Sequence, residues 1–386
     1  MSGGTRLPER AGVVVIGGGV VGVSTAFHLA EAGADVVLLE RDELASGSTS
    51  RAAGGVRAQF SDPVNIALGL RGLELFEDFA RRPGGDIGLK QHGYLFLLSD
   101  PADVAAFERG VEVQNGLGVP SRMLDVAEAC ALAPVVAPDG LVAAAYAARD
   151  GHCTPEAVVQ GYAVAARAHG ARIVRHCPVT GIDVDGGRIT AVRTERGTVR
   201  TDTVVCAAGA WSGPVAEMAG VNLPVRPLRR QIVVTEPVPD LPPDMPMTID
   251  FGTSFYFHDE GPGLLMGMSE PEDVYGFDTA VTDAWLAALG EVVARRAPRL
   301  SDVGLAHRWA GLYEITPDHN ALVGEVPGVS RFLYATGFSG HGFLQGPAVG
   351  EIMRDLVLGR SPEIDVSPLS AGRFATAQAR PEHNLV

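Results

Sequence analysis

The feature that most constrains the fold is a strand, a glycine turn and a helix near the start of the chain. Val13 to Ile16 is a run of β-branched apolar residues, which predicts a buried parallel strand. Gly17, Gly19 and Gly22 follow with G-x-G-x-x-G spacing, and a helix is predicted from about Val20 to Ala32. This order indicates a βαβ unit whose helix N-terminus can hold a diphosphate.

An acidic residue at the end of the next strand narrows the class of ligand. Glu40 follows the apolar run Asp35 to Leu39 and lies 21 residues after Gly19. A carboxylate at this place accepts hydrogen bonds from both hydroxyls of a ribose and repels a 2′-phosphate. The alternative is an ordinary glycine-rich turn, but strand, helix, spacing and acid are all present. The pattern therefore predicts a dinucleotide with an unphosphorylated ribose, either NAD or FAD.

The composition excludes several functional classes. Lys90 is the one lysine among 31 basic residues, and the chain has no Walker-type phosphate loop, which would need its own lysine. The net charge of −15 argues against nucleic acid and anionic membranes as partners. The four cysteines are widely spaced and the histidines form no HxxxH or HExxH pair, which predicts no metal site. Scattered thiols also predict a reducing, cytoplasmic compartment. No apolar run predicts a membrane span.

Three segments of the chain carry a family signature. They are the N-terminal GGGVVG turn with Glu40-Arg41 and SGSTSRAAGGVR, the segment TVVCAAGAW at 203–211, and residues 312–350. Together they resemble the FAD-dependent amine oxidoreductases of the D-amino-acid oxidase superfamily, which include glycine oxidase, sarcosine oxidase and the sarcosine and dimethylglycine dehydrogenases. The resemblance implies extended FAD, with its ring between two domains and the protein supplying binding and orientation.

We therefore predict an α/β (α+β) fold in which a Rossmann-like FAD-binding domain is interleaved with an antiparallel-sheet substrate domain. Residues 10–88, 151–222 and 306–386 are assigned to the FAD-binding domain, and residues 89–150 and 223–305 to the substrate-binding domain. The chain has no second GxGxxG and no CxxC, which argues against a pyridine-nucleotide disulfide reductase.

The resemblance also assigns cofactor contacts along the chain. The glycine turn and Glu40 would hold the ADP half, residues 54–55 would pass under the flavin, and residues 337–344 would present N–H groups to its N1/O2 side. The full predicted set is Gly17, Gly19, Val20, Val21, Gly22, Glu40, Arg41, Ser48, Thr49, Ser50, Ala53, Gly54, Gly55, Val179, Ala208, Gly209, Trp211, Gly311, Gly337, Gly340, His341, Gly342, Phe343 and Leu344.

The substrate site is predicted around one arginine. Arg57 follows the Gly54-Gly55 pair by two positions, where sarcosine oxidases carry a carboxylate-binding arginine, and a surface arginine is the alternative. His341 is interpreted as a structural or flavin-contacting residue, and no side chain is assigned a catalytic role. The other residues assigned to the pocket are Tyr256, Tyr313, Phe255, Leu265, Leu344 and Gln345.

Four positions depart from the family pattern. Gly311 and Arg51 stand where relatives attach the flavin to a cysteine or a histidine, which predicts non-covalent FAD. Leu265 and Leu344 stand where sarcosine oxidase has lysines, one over the flavin and one that binds the carboxylate. The substitutions predict a pocket with a more apolar wall and leave the reaction with oxygen open.

The resulting functional hypothesis is oxidation of the C–N bond of a small amino acid, most plausibly glycine or an N-carboxymethyl glycine. The amine would deliver hydride to flavin N5, the imine would hydrolyse, and O2 would reoxidise the flavin to give H2O2. One alternative is a D-amino-acid or proline-type dehydrogenase that uses another electron acceptor. Another is a flavin-binding subunit of a hetero-oligomeric sarcosine oxidase-like complex. A homo-oligomer is equally compatible with the sequence.

Overall fold

The computed structural model describes residues 6–376 and 379–384. The elements in the first 147 residues are β1 (Val13–Ile16), α1 (Val20–Glu31), β2 (Val36–Leu39), β3 (Gly55–Val56), α2 (Pro63–Glu77), β4 (Tyr94–Leu98), α3 (Pro101–Gly116), β5 (Ser121–Leu124), α4 (Val126–Leu132) and β6 (Ala143–Ala147). Those that follow are β7 (Gly151–His152), α5 (Pro155–Ala168), β8 (Arg172–Val174), β9 (Val179–Asp185), β10 (Arg188–Thr194), β11 (Gly197–Arg200), β12 (Val204–Cys206), α6 (Ser212–Glu217), β13 (Arg226–Thr235), β14 (Met247–Asp250), β15 (Phe255–Glu260), β16 (Gly263–Met268), α7 (Asp283–Arg296), β17 (Leu305–Ile315), β18 (Leu322–Glu325), β19 (Phe332–Thr336) and α8 (Gly342–Val357).

One sheet carries the predicted dinucleotide turn. Its strand order is β18-β19-β12-β1-β2-β8, parallel throughout except for the antiparallel edge strand β18. Alternate residues of the buried strands face opposite sides, so Val13 and Val15 pack against the helices whereas Val14 and Ile16 pack against the three-stranded sheet β11-β10-β9. Both faces are therefore covered, as a parallel sheet requires.

A second, larger sheet has the order β17-β13-β16-β15-β14-β4-β6-β5 and is antiparallel except where β14 pairs with β4. One of its faces packs on α4 and α7 through residues such as Phe255 and Trp285. The other face carries Tyr94, Ile232 and Tyr256 and is directed toward the mostly parallel sheet. The mixture of a Rossmann-like sheet and an antiparallel sheet agrees with the predicted fold class.

The start of the last helix and one domain boundary differ from the prediction. The last helix was predicted around 349–358, but it begins at Gly342. The prediction missed the first two turns because they contain glycines and Pro347, which have low helix propensity. Residues 306–386 were assigned to the FAD-binding domain, yet β17 pairs along most of its length with β13 in the antiparallel sheet. The division into two domains otherwise remains a prediction.

Among the described residues, none of the helices combines the length and the apolar composition that crossing a membrane requires.

The close contact between β1 and α1 gives a test of the fold. Gly22→Ala is expected to lower the free energy of unfolding by about 1–3 kcal/mol, because its methyl group would meet the Gly17 carbonyl oxygen at 1.9 Å. Gly290→Ala in α7 is the matched control, since its methyl group meets nothing within 4 Å. This control should raise stability by about 0.5–1 kcal/mol. Denaturant unfolding measures both, and a Gly22→Ala protein as stable as the wild type would contradict the contact.

Candidate active site

A cavity of about 460 Å³ lies between the two sheets. One end is lined by the glycine turn, most of residues 45–55 and the ends of β2 and β12, and the other end by β13, β14 and β15 of the antiparallel sheet. The first end is where the carboxyl ends of parallel strands meet, which is the usual place for a ligand in such a sheet.

The glycine turn leaves the N-terminus of α1 open to this cavity. Gly17 has a φ of +114°, and a Cβ there would lie 2.2 Å from the carbonyl oxygen of Ala207. Gly19 is the N-cap of α1, and no side chain caps it. The Val20 N–H donates to the hydroxyl of Thr49 at 3.2 Å. Apart from this contact with Thr49, no side-chain cap was found among the described residues and no acidic residue lies in the first turn of α1, so this positive helix end is suited to an anionic diphosphate.

The carboxylate of Glu40 is fixed at the rim of the same end. Its oxygens accept hydrogen bonds from the Gly18 N–H at 2.6 Å and the Asp42 N–H at 2.8 Å. These two contacts orient the carboxylate at the end of β2, where its remaining lone pairs can accept from ribose hydroxyls.

An aromatic stack borders the cavity beside Glu40. The guanidinium carbon of Arg41 lies 3.8 Å from the centre of a Trp211 ring, and Trp211 stacks on Phe277 at 5.5 Å. Sequence reasoning selected Arg41 and Trp211 but missed Phe277, because nothing in the local pattern brings the segment before α7 to this place. The stack provides a flat rim for the ligand.

Residues 48–51 are attached to strand β17. The Ser48 hydroxyl donates to the Leu312 carbonyl at 2.6 Å, and the Arg51 guanidinium donates to the Ala310 carbonyl at 2.6 Å. In the opposite direction, the Trp309 indole N–H donates to the Arg51 carbonyl at 3.1 Å. The hydroxyl-rich segment is therefore an ordered wall that joins the two sheets.

The N-terminus of α8 is a second helix end at the cavity. His341 is its N-cap, the His341 side chain does not cap the backbone N–H groups of the helix, and residues 340–344 line the wall. The helix packs closely on α1, since a Cβ on Gly350 would lie 2.1 Å from the Ser24 hydroxyl oxygen. The helix end faces the cavity, where its N–H groups stabilise negative charge.

Arg57 is buried in the wall between the two helix ends and the antiparallel sheet. Its guanidinium donates to the carbonyl oxygens of Gln59 and, at 2.7 Å, Asn384, and it lies 3.2 Å from His341 Nε2. Its carbon is 4.2 Å from the centre of the Phe60 ring. Burial lowers the pKa of Arg57, although an arginine stays protonated in proteins.

No carboxylate forms an ion pair with Arg57 among the described residues. The nearby Asp150 accepts from the Ala58 N–H at 3.1 Å, and Glu382 accepts from Ser61 and Asn65. Burial, followed by the charge of Arg57, lowers the pKa of His341 to about 3. His341 is therefore neutral at physiological pH, and its Nε2 accepts from Arg57.

Three phenols and one carboxyl complete this end of the cavity. Burial raises the pKa of Tyr94, Tyr256 and Tyr313, so all three remain neutral hydroxyls. Glu314 accepts from the Thr336 hydroxyl at 2.7 Å and the Gly337 N–H at 3.0 Å, and burial raises its pKa. Sequence reasoning missed Glu314; an acid inside the apolar strand LYEI was the available signal.

The structure brings most of the predicted residues to the cavity wall. Of the substrate set, Arg57, Tyr256, Tyr313 and Leu344 line it. The cofactor residues that line it are Gly17, Gly19, Val20, Val21, Glu40, Arg41, Ser48, Thr49, Ala53, Gly54, Gly55, Val179, Ala208, Gly209, Trp211, Gly311, Gly340, His341, Gly342, Phe343 and Leu344.

Six predicted residues lie behind the wall instead. Phe255 faces α7, because it alternates with Tyr256 along β15, and Leu265 belongs to the core of the cavity-side face. The Gln345 amide donates to Asn65 at 3.2 Å. Gly22 lies directly against the Gly17 carbonyl. The Ser50 N–H donates to the Ala45 carbonyl, and the Gly337 N–H donates to Glu314. Residues that sequence reasoning did not select but that line the sheet end include Tyr94, Arg230, Ile232, Met247 and Ile249.

A polar cluster lies behind the glycine pair 54–55. The His258 Nε2 lies 2.8 Å from the Ala53 carbonyl oxygen, and His152 Nε2 lies 2.9 Å from an Asp259 oxygen. Lys90, the one lysine, pairs with the other Asp259 oxygen. His152, His258 and Asp259 bring three metal-ligand atoms within 4.8 Å of one another, although the sequence predicted no metal site. Their contacts with one another, with Lys90 and with Ala53 connect β7 and β15 to the segment before Gly54.

Comparisons with known proteins agree with this geometry. A family model described as FAD dependent oxidoreductase matches residues 12–356. Human mitochondrial sarcosine dehydrogenase is 32% identical over 386 residues, which cover 95% of this chain and 42% of that protein. The chain thus spans less than half the length of this relative.

Two crystal structures cover nearly the whole chain. L-proline dehydrogenase from P. horikoshii has a TM-score of 0.92 at 32% identity and covers 97% of this chain and 100% of its own. Glycine oxidase from Geobacillus kaustophilus has a TM-score of 0.85 at 27% identity and covers 95% of this chain and 99% of its own. The chain belongs to the FAD dependent oxidoreductase family, and the predicted family, fold class and FAD cofactor are confirmed.

Proposed function

We propose that the protein uses non-covalently bound FAD to oxidise the C–N bond of a small amino acid or an N-substituted glycine. The observation that carries the proposal is Arg57, a buried guanidinium in the cavity wall without an ion-pair partner among the described residues. Burying a cation is costly unless an anion pairs with it. A substrate carboxylate would supply that anion through charge-assisted hydrogen bonds from the Arg57 donors that Gln59, His341 and Asn384 leave open.

The residues around the cavity fit FAD. The open end of α1 and Glu40 would hold the diphosphate and ribose, the Arg41–Trp211 stack would border the adenosine end, and the end of α8 would face the flavin. When bound, the flavin accepts a hydride from the carbon next to the amine nitrogen.

The protein's own part is binding, orientation and exclusion of water. Arg57 would hold the carboxylate, and its contact with neutral His341 would set the direction of the guanidinium. Tyr256, Tyr313 and Leu344 would close the pocket with apolar surface, which strengthens the ion pair by lowering the local dielectric constant. Fixing the substrate by its carboxylate places the α-carbon in one orientation, and such positioning is a large part of catalysis.

A proline-type dehydrogenase is the second candidate. The structural match to L-proline dehydrogenase extends over the full length of that chain, and the apolar wall at Ile232, Met247 and Ile249 would accommodate a ring. O2, with H2O2 as the product, and another electron acceptor are the two options for reoxidation. The free cysteines support a reducing, cytoplasmic location under this proposal.

Anaerobic bleaching of the flavin tests the function without an assumption about the acceptor. A panel of glycine, sarcosine, N-carboxymethyl amines and both proline enantiomers should contain at least one compound that bleaches it. With that compound, Arg57→Met should raise KM about 10- to 1,000-fold through loss of a charge-assisted pair. Arg109→Met, which removes an exposed charge from α3, is the control. An unchanged KM in Arg57→Met would remove Arg57 from the site.

Acid precipitation tests the mode of flavin attachment. The flavin is expected in the supernatant, because Gly311 and Arg51 offer no thiol or imidazole at the junction of β17 and residues 48–51. Cys177 does line the cavity, but it neighbours Val179 at the predicted adenine end, so Cys177→Ala should release the flavin equally. Flavin that remains in the pellet would refute non-covalent binding.

The neutral state of His341 predicts how anion binding depends on pH. The Kd of methylthioacetate, a carboxylate without an amine, should show no transition that depends on His341 from about pH 6 to 8, because the lowered pKa of His341 lies well below this window while Arg57 stays charged. A transition near pH 7 that persists in His341→Gln is expected from Asp150, because burial raises the pKa of this neighbour of Arg57 to about 7. Perturbation of the flavin spectrum measures the Kd. A transition near pH 6.5 that disappears in His341→Gln but persists in the exposed control His307→Gln would contradict the prediction.

A further inference from the structure

Arg230 brings a second guanidinium to the cavity wall. It lies on β13, where successive side chains face opposite sides of the sheet. Arg229 is buried on the side away from the cavity and pairs with Glu270 at 2.7 Å and with Asp278 at 2.9 Å. Arg230 faces the cavity together with Ile232. The two neighbouring arginines therefore differ in environment. Arg229 is paired with two carboxylates, whereas Arg230 faces the cavity.

The contacts of Arg230 leave a donor open. Its Nη1 donates to the Arg229 carbonyl at 3.0 Å and lies 3.3 Å from Asp273, a half-exposed carboxylate. Its Nε is buried and has no hydrogen-bond partner among the described residues. A buried N–H without an acceptor costs about 1–3 kcal/mol. A ligand anion in the cavity would remove this cost.

Arg230 and Arg57 share a neighbour in the cavity. The guanidinium carbon of Arg230 is 5.5 Å from the centre of the Tyr313 ring. The charges of Arg230 and Arg57 both act on the Tyr313 phenol, where they oppose the rise in its pKa that burial causes. Tyr313, Tyr256 and Arg230 line the same end of the cavity as Arg57. This end thus presents two cations and several apolar or neutral groups to one bound molecule.

We propose that Arg230 is a specificity-determining residue that binds a second carboxylate of the substrate, so that the substrate class is dicarboxylic amines. Arg57 holds the carboxylate next to the reacting carbon, and Arg230 holds the carboxylate of the other substituent. The inference rests on the proposed function, because it needs Arg57 as the first anion site. A monocarboxylic amine would leave Arg230 Nε unsatisfied, and a site built for a polar group discriminates against ligands that lack it.

Two thioethers separate one carboxylate from two. Methylthioacetate and thiodiglycolate carry sulfur in place of the amine nitrogen, so they report binding without the amine reaction. The FAD-loaded protein should bind thiodiglycolate at least about tenfold more tightly than methylthioacetate, which corresponds to about 1.4 kcal/mol. Isothermal titration calorimetry and the perturbation of the flavin spectrum measure both affinities.

Substitution of Arg230 should affect one ligand only. Arg230→Met is expected to weaken thiodiglycolate about 10- to 100-fold and to leave methylthioacetate within about threefold, since a charge-assisted pair is lost from one ligand. Arg226→Met is the matched control, because Arg226 is an exposed arginine on the same strand that stacks on Tyr275 and does not line the cavity. Arg230→Lys should recover part of the preference, since it restores the charge without the planar fork.

Several outcomes would overturn the proposal. A wild-type protein without preference for thiodiglycolate overturns it, whatever the variants do. Equal loss of both ligands in Arg230→Met, or loss of FAD from that variant, would make Arg230 a residue of the first anion site or of the cofactor site. The proposed function fails separately, because in that case neither ligand binds, Arg57→Met changes nothing and no amine bleaches the flavin.

Discussion

The close packing of α1 against β1 is the contact on which the site depends. Gly22 lies so near the Gly17 carbonyl that a side chain at Gly22 would push the helix away from the turn, and a side chain at Gly17 would meet the Ala207 carbonyl just after β12. This approach places the N-terminus of α1 at the end of β1, and α8 in turn packs on α1 through Gly346 and Gly350. One steric constraint thus positions two helix ends at one cavity, and both favour negative charge.

The antiparallel sheet supplies the other half of the site through its alternation. Tyr94, Ile232 and Tyr256 reach the cavity because every second residue of β4, β13 and β15 faces it, while their neighbours fill the core under α7. The wall is joined to the FAD-binding unit by hydrogen bonds between residues 48–51 and β17. Strand pairing and these hydrogen bonds therefore fix the two halves of the wall relative to each other, which suits a reaction that depends on orientation.

The sequence was sufficient where local chemistry decides position. Gly17, Glu40 and Arg57 were selected from spacing, strand ends and the family signature; they line the cavity, and their roles stay predictions. Phe255 and Leu265 were assigned to the pocket wall but lie in the core. Phe255 lies on the opposite face of β15 from Tyr256, because neighbouring residues of a strand face opposite sides, whereas Leu265 is on the cavity-side face but is packed within its core. Arg230 was missed for a different reason: an Arg-Arg pair does not reveal which member will be neutralised by Glu270 and which will face the cavity. That depends on a segment more than 35 residues further along the chain.

The bias toward arginine has a physical consequence in this pocket. Burial lowers the pKa of a cationic side chain. A lysine in the position of Arg57 would therefore lose its proton more easily than an arginine when no anion is bound nearby. Arginine keeps its charge under the same burial, so the site remains cationic in its empty state. The one lysine lies outside the cavity wall, where Asp259 neutralises it. Guanidinium groups therefore keep this wall cationic beside buried phenols and aliphatic side chains, as the proposed carboxylate site requires.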